Sequence, residues 1–337
     1  MRVLVVCSYR DYIKDGIAPF IKEQAEALRT LAIDDRWIDD RCVEIEYYLL
    51  HGKGIKGYLK EIPKIRKKIK EYKPDVIHAH YGWTCLLTNL ATRLVPVVCT
   101  FHGSDINDPK VRRFSKIAMQ LSAWNIFVSP QIMNIAGAEE GKKASLIPCG
   151  IDDSLFKPIE KESARACLNE RGKWKEERGK KYVLFTKMFY DELKDYPLAK
   201  ETIERVNELM NERVELLEFV GYTREESMLL MNAVDALLMT SKIEGSPQVI
   251  KEAMACGCPI VSVEVGDVKE RIAGIDGCYV IPKDDRAKMI DELADALVKA
   301  LAFDGKTNGR EILMRQNLSN ELVAKKLIDI YNKVLKK

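Results

Sequence analysis

The stretch EGSPQVIKEAMACGCPIVS, Glu244–Ser262, decides the fold. A Gly-Ser-Pro turn enters a helix, Gly257 ends it, and Pro259 opens an apolar, β-branched strand over Pro259–Val263. Proline at the first helical position loses nothing, because that N–H has no partner in a helix. The spacing therefore predicts a helix starting at Pro247, with the amides of Gln248 and Val249 pointing outward, where the helix dipole favours an anion. Glu244 falls in the loop before those amides, and Glu252 falls on the helix while Val249, Ile250, Ala253 and Met254 pack inward. Carboxylates that accept hydroxyl hydrogen bonds, with anion-binding amides between them, suit a sugar nucleotide. For a bare pair of glutamates at this spacing a capped surface helix would be the better reading, so the rest of the chain has to decide.

Working outward, short apolar runs alternate with amphipathic stretches. Strands are expected at Val3–Cys7, Val43–Leu50, Val76–His80, Val95–Thr100 and Asn125–Val128, with helices at Ala18–Leu31 and Gly57–Tyr72. A second series follows at Tyr182–Phe185, Leu216–Val220, Ala236–Met239, Pro259–Val263 and Tyr279–Ile281, and an amphipathic helix over Asn320–Val334 closes the chain. Continuous β-branched runs separated by helices mark parallel sheets covered on both faces. The two series are joined by IPCGIDDSLFKP, Ile147–Pro158, too irregular to be an element and placed as the hinge. The expected architecture is α/β, with two doubly wound Rossmann-like domains facing across a cleft. Their expected bounds are 1–150 and 151–318, and a C-terminal helix over 319–337 is expected to return to the first domain. In such sheets ligands bind beyond the carboxyl ends of the strands.

The 337 residues carry 54 basic and 51 acidic side chains, a balance that gives no reason to expect a nucleic-acid partner. No apolar run has the length of a bilayer span: Leu86–Phe101 is broken by Asn89, Arg93 and Pro96. The N-terminus reads as a first strand and not as a signal peptide. Nine cysteines, an odd number, include Cys7, Cys99, Cys256 and Cys258 within apolar stretches, as expected of buried reduced thiols. The expected location is cytoplasmic. Between His51 and Lys73 nine Lys or Arg stand against two Glu, interleaved with Ile55, Leu59, Ile62, Ile65 and Ile69. This stretch, Lys53–Lys73, is either a solvated face or a peripheral contact with an anionic membrane surface. DDRWIDDR, Asp34–Arg41, reads as a charged surface loop without assigned function. No G-x-G-x-x-G follows Val3–Cys7, which argues against a dinucleotide-dependent dehydrogenase.

Taken together, Glu244–Ser262, PDVIHAHYG (Pro74–Gly82), TFHGSDIN (Thr100–Asn107) and IPCGIDDSLFKP resemble the family 4 retaining glycosyltransferases of the GT-B fold, with their E-x7-E motif. The resemblance covers nearly the whole chain. It implies transfer of a sugar from a nucleoside diphosphate sugar, UDP-linked first and GDP-linked next, to a hydroxyl of a glycan or glycolipid acceptor, with no metal and no other cofactor. It also implies a place in cell-surface polysaccharide or glycolipid synthesis. By resemblance Glu244 contacts the donor sugar, Glu252 binds the ribose hydroxyls, and Lys194 grips the phosphates. Gly245, Ser246, Pro247, Gln248 and Val249 form the donor loop and helix start. Gly16 matches the loop glycine after the first strand, although the family often has two adjacent glycines. His102 matches the histidine near the reacting sugar, and Tyr222, after Gly221, matches the base-holding position. His80 and Asp105 are candidates on the acceptor side. The family often carries Gly-Arg after the first strand of the second domain; here Phe185-Thr186-Lys187-Met188 leaves Lys187 as the candidate replacement. Two rival functions are a non-transferring sugar-nucleotide epimerase of the same fold and a catalytically silent nucleotide-sugar-binding protein.

Overall fold

The computed structural model describes residues 1–11, 13, 15–31, 43–52, 54–211 and 213–336. The segment DDRWIDDR and Lys53 lie outside the described residues. Two compact units divide the chain: Met1–Gly150 with Leu318–Lys337, and Ile151–Asn317.

In the first unit the strands are β1 (Arg2–Ser8), β2 (Glu44–Leu50), β3 (Val76–His80), β4 (Val97–Phe101), β5 (Trp124–Phe127) and β6 (Ala144–Leu146), in the order β2-β1-β3-β4-β5-β6. All pairings are parallel. Val3, Leu4 and Val6 of β1 are wholly buried because helices cover both sheet faces, which is why this strand is apolar without alternation. On one face the helices Pro19–Leu31 and Asn320–Leu335 pack together, through Ile21, Ala25 and Leu28 against Ala324, Leu327 and Tyr331. The last helix thus completes the first unit's core. On the other face Ile65, Leu87, Ala118 and Ile132 close over Leu4, Ile77 and Cys99.

The second unit has β7 (Lys180–Phe185), β8 (Arg213–Leu217), β9 (Ala236–Met239), β10 (Ile260–Val263) and β11 (Cys278–Ile281), in the order β11-β10-β9-β7-β8, again all parallel. In each sheet the chain steps to one side of the first strand and then crosses to the other. The crevice at this reversal opens at the carboxyl ends of β1 and β3 in one unit, and of β7 and β9 in the other.

Several expectations need correction. The strand expected at Leu216–Val220 lies at Arg213–Leu217, since Val220 is half exposed and the apolar signal continues past the last pairing. The three-residue β6 carries too little apolar sequence to signal itself. The single helix expected over Gly57–Tyr72 is two, Gly54–Leu59 and Glu61–Tyr72. Only Ile65 of the expected apolar stripe is fully buried, whereas Ile55 and Leu59 are 59% and 51% exposed. Finally, Pro247 is the cap of the helix Gln248–Cys256 and not its first residue. Its ψ of 125° is extended, one residue short of helix entry.

Candidate active site

The second unit gathers most of the charged candidates around the crevice at β7 and β9. Lys194 ends a short 3₁₀ turn, Glu192–Lys194, in which Asp191 Oδ1 accepts from the Leu193 amide at 3.1 Å. Thr240, just past β9, donates its hydroxyl to the Lys194 carbonyl at 2.8 Å, and the Lys242 amide donates to the Leu193 carbonyl at 2.8 Å. The turn is thereby fastened to the loop that carries Glu244, and Lys194 Nζ makes an ion pair with Glu244 Oε1. Both side chains are mostly shielded, at 17% and 15% exposure, so the pair is stronger than a surface one.

Gly245 is buried, and the helix Gln248–Cys256 begins without a side-chain cap at Pro247. Such a helix start presents amides for which the helix itself has no acceptor. Three hydroxyls border the same region: Thr186 after β7, Ser241 after β9, and Ser246 in the loop. Their oxygens are buried and make no hydrogen bond among the described residues, a state that polar groups ordinarily avoid unless a ligand or water completes them. Val249 is half-buried beside the wholly buried Ile250, Ala253 and Met254. Gly257 closes the helix in the left-handed conformation, its amide reaching the Ala253 and Met254 carbonyls.

Glu252 lies on the same helix, four residues past Gln248. It is 3% exposed, and Oε1 accepts from Arg224 Nη1 at 2.7 Å. Lys187 pairs with Asp191 of its own loop at 2.9 Å, so its charge is already compensated locally. Tyr222 is half-buried, with Phe219 beside it, and the preceding Gly221 carbonyl accepts from Lys173 Nζ at 3.0 Å. Burial raises the Tyr222 hydroxyl above its ordinary pKa.

The first unit places its candidates at the carboxyl ends of β1, β3 and β4. Gly16 has φ of +73°, and a Cβ there would lie 2.1 Å from the Tyr9 ring, so the loop after β1 closes tightly only on glycine. His78 and His80 alternate with Ala79 on one sheet face, their rings stacked at 4.3 Å. His78 is buried between the Tyr331 hydroxyl at 2.6 Å and the Thr100 hydroxyl at 2.7 Å, and burial pushes its imidazole down to about 3. Burial, reinforced by His78 and His102, likewise holds His80 well below the usual histidine range. His80 Nδ1 is 3.1 Å from His102 Nε2, so one of these two nitrogens donates to the other. His102 Nδ1 lies 3.7 Å from Cys149 Sγ, and the ring is flanked by Phe20 and Tyr81.

Asp105, placed on the acceptor side by sequence, is 3% exposed and turned toward its own backbone. It accepts from the amides of Gly82 at 3.0 Å, His102 at 3.1 Å and Gly103 at 2.9 Å. Its carboxylate ties β3 to β4, and burial raises its pKa to about 6 against these amides. Beside it a cavity of about 500 Å³ is lined by Tyr9, Arg10, Tyr58, Tyr81, Trp83 and Ser104, among others. Tyr58 and Trp83 stack with rings only 4° from parallel. Tyr81 adopts φ 73° and ψ 144°, a region that costs a side-chain-bearing residue about 1–3 kcal/mol and is found mainly at functional sites.

Sequence reasoning missed Arg224, Tyr81 and Trp83. Arg224 resembles any other surface cation among 54 basic residues, and only the fold brings it to Glu252. Tyr81 had a signal, since it follows His80 within PDVIHAHYG at a strand carboxyl end. Among the described residues no helix is long and apolar enough to cross a membrane.

Comparison with known proteins gives the same outline. The family model described as "Glycosyltransferase Family 4" matches residues 22–155, and that described as "Glycosyl transferases group 1" matches residues 194–302. A putative teichuronic acid biosynthesis glycosyltransferase of Bacillus subtilis is 25% identical, with 89% of each chain covered. An uncharacterized glycosyltransferase of Methanocaldococcus jannaschii is 26% identical, with 91% of this chain and 92% of the other covered. Among solved structures, sucrose-phosphate synthase from Thermosynechococcus elongatus superposes with a TM-score of 0.75 at 16% identity over the whole of both chains. Anabaena HepE, solved with UDP and glucose, gives 0.67 at 16% identity, covering 99% of this chain and all of the other. A UDP-GlcNAc 2-epimerase from Methanocaldococcus jannaschii gives 0.60 at 15% identity, covering 99% and 100%. With two Rossmann-like units, the two glutamates at their spacing, and both halves matched by family models, the chain belongs to the family 4, group 1 glycosyltransferases of the GT-B fold.

Proposed function

We propose that the second unit binds a nucleoside diphosphate sugar and that the sugar is transferred, with retention at the anomeric carbon, to a hydroxyl of a saccharide-bearing acceptor recognised by the first unit. One observation carries this: the Lys194–Glu244 and Arg224–Glu252 pairs flank an uncapped helix start at the reversal of the second sheet. A diphosphate competes for Lys194 Nζ and the helix amides, while hydroxyls of sugar and ribose occupy the carboxylates. In the transfer the bond from the anomeric carbon to the diphosphate breaks, and a bond to the acceptor oxygen forms on the same face. The acceptor's proton passes to the departing phosphate oxygen, and Lys194 compensates the charge that develops there.

Uracil is the base we expect, supported by the neighbouring Anabaena HepE, solved with UDP and with UDP-glucose. A surface-polysaccharide pathway is supported by the teichuronic acid relative. The cavity of the first unit suits a saccharide, since parallel aromatic rings stack on pyranose faces and its hydroxyls and carboxylates bind sugar hydroxyls. Contact with an anionic membrane through the helix Gly54–Leu59 is a subsidiary proposal. Exposed Ile55 and Leu59 support it, whereas Lys64 and Lys68 are already paired with Glu61 and Glu46.

The test is a thermal-shift panel of UDP, GDP, dTDP, ADP and NAD on the parent and on Glu252→Ala. A nucleotide at about 100 times its dissociation constant adds roughly 2.7 kcal/mol. We expect one diphosphate to stabilise the parent and to lose most of that effect in the variant. No stabilisation by any nucleotide would overturn the proposal. Conversion of donor sugar to its epimer without acceptor would replace transfer by epimerisation.

A further inference from the structure

Arg224 has an unusual place. It opens the helix Arg224–Ala233, where a cation opposes the helix dipole, and the helix is already capped by the reciprocal Thr223–Glu226 box. Helix stability therefore gives no reason for an arginine there. Its guanidinium lies over the ring of the wholly buried Phe156, 4.6 Å from the centroid, and spends Nη1 on Glu252 Oε1 at 2.7 Å. Phe156 is itself anchored, its carbonyl accepting from Arg310 Nη1 at 2.6 Å and its amide donating to Asp152. Glu252 is 4% exposed in its side chain while Arg224 keeps 28%. A carboxylate this buried needs a partner in a fixed direction, and Arg224 supplies one.

We infer that Arg224 is a positioning residue for nucleotide recognition: clamped on Phe156, it fixes Glu252 so that the carboxylate reads the ribose diol, and discrimination between ribose and 2′-deoxyribose therefore depends on Arg224. This rests on the proposal that Glu252 meets a nucleotide ribose. A rigid carboxylate accepts from both hydroxyls at once, and loss of the 2′-hydroxyl leaves one of its buried oxygens unsatisfied. A carboxylate released from its clamp swings and re-forms one bond to either sugar.

The experiment measures dissociation constants, by calorimetry, of the diphosphate that binds the parent and of its 2′-deoxy form. The proteins are the parent, Arg224→Met, Arg224→Lys and Glu252→Gln, with melting curves confirming folding. The parent is expected to prefer the ribonucleotide by about tenfold or more, as one charge-assisted hydrogen bond is worth about 1.5–3 kcal/mol. In Arg224→Met the preference should collapse to within about threefold, the 2′-deoxy affinity changing little. Arg224→Lys keeps the charge without the planar fork, so it should recover only part; it also provides the test if the methionine variant does not fold. Retention of the parent's preference in either folded variant overturns the inference, as does a parent that binds both sugars equally. If no nucleotide binds the parent, it is the donor-site proposal that falls.

Discussion

Lowering the pH from 7 to 5 should destabilise the first unit through His78. Buried between Tyr331 and Thr100, its imidazole is held at about 3 by desolvation, against 6.5 in an unfolded chain. The folded state therefore refuses a proton that the unfolded state accepts. The stability this implies is present above pH 6.5 and is lost as the pH falls toward 3. At pH 5 the unfolded chain has gained about 1.5 pH units of protonation free energy, or about 2 kcal/mol from this one residue. His80 acts in the same direction, also through burial. Asp105 acts oppositely: its pKa is raised to about 6, so the cost of its buried charge is relieved as the pH falls through that value. The difference between the parent and His78→Asn removes the Asp105 contribution and the part of the His80 contribution that comes from burial, leaving only what His78 itself adds to His80. Urea-dependent hydrogen exchange of peptides spanning β3 and β4 reads the first unit separately from the second. The parent should lose about 2 kcal/mol more than the variant between pH 7 and 5, although the variant is the less stable at pH 7 by about 1–3 kcal/mol for its lost hydrogen bonds. Equal losses in the two proteins would refute the buried neutral imidazole.

Two further outcomes follow from the geometry. Lys194→Met should lower kcat by about 10²–10³, with nucleotide affinity less affected, as expected for a charge needed most in the transition state; steady-state kinetics with a donor carrying the nucleotide that the thermal-shift panel selects decides it. Gly82→Ala places a Cβ 1.9 Å from Ser115 Oγ, and should cost about 1–3 kcal/mol in denaturant melts. Adding Ser115→Gly removes both the oxygen and the Ser115 Cβ, which is 2.9 Å away, so the added cost of Gly82→Ala should be smaller in the Ser115→Gly background than in the parent; an equal cost in both would show that the strain lies elsewhere.

Sequence reasoning reached the two parallel α/β units, because their strands are written in local pattern. A strand buried on both faces is apolar through its middle, as Val3–Cys7 of β1 is. Boundaries moved where apolar sequence outran pairing, as at Val220, or where the strand was too short to signal, as at β6. What tertiary structure alone decided was who neutralises whom. Lys194 turned to Glu244, and Arg224, unremarkable in sequence, to Glu252. His78 found its partner in Tyr331, and the two are 253 positions apart. Charge pairing and hydrogen bonding at such separations depend on where loops and sheet edges converge, and residue type and spacing along the chain do not encode that.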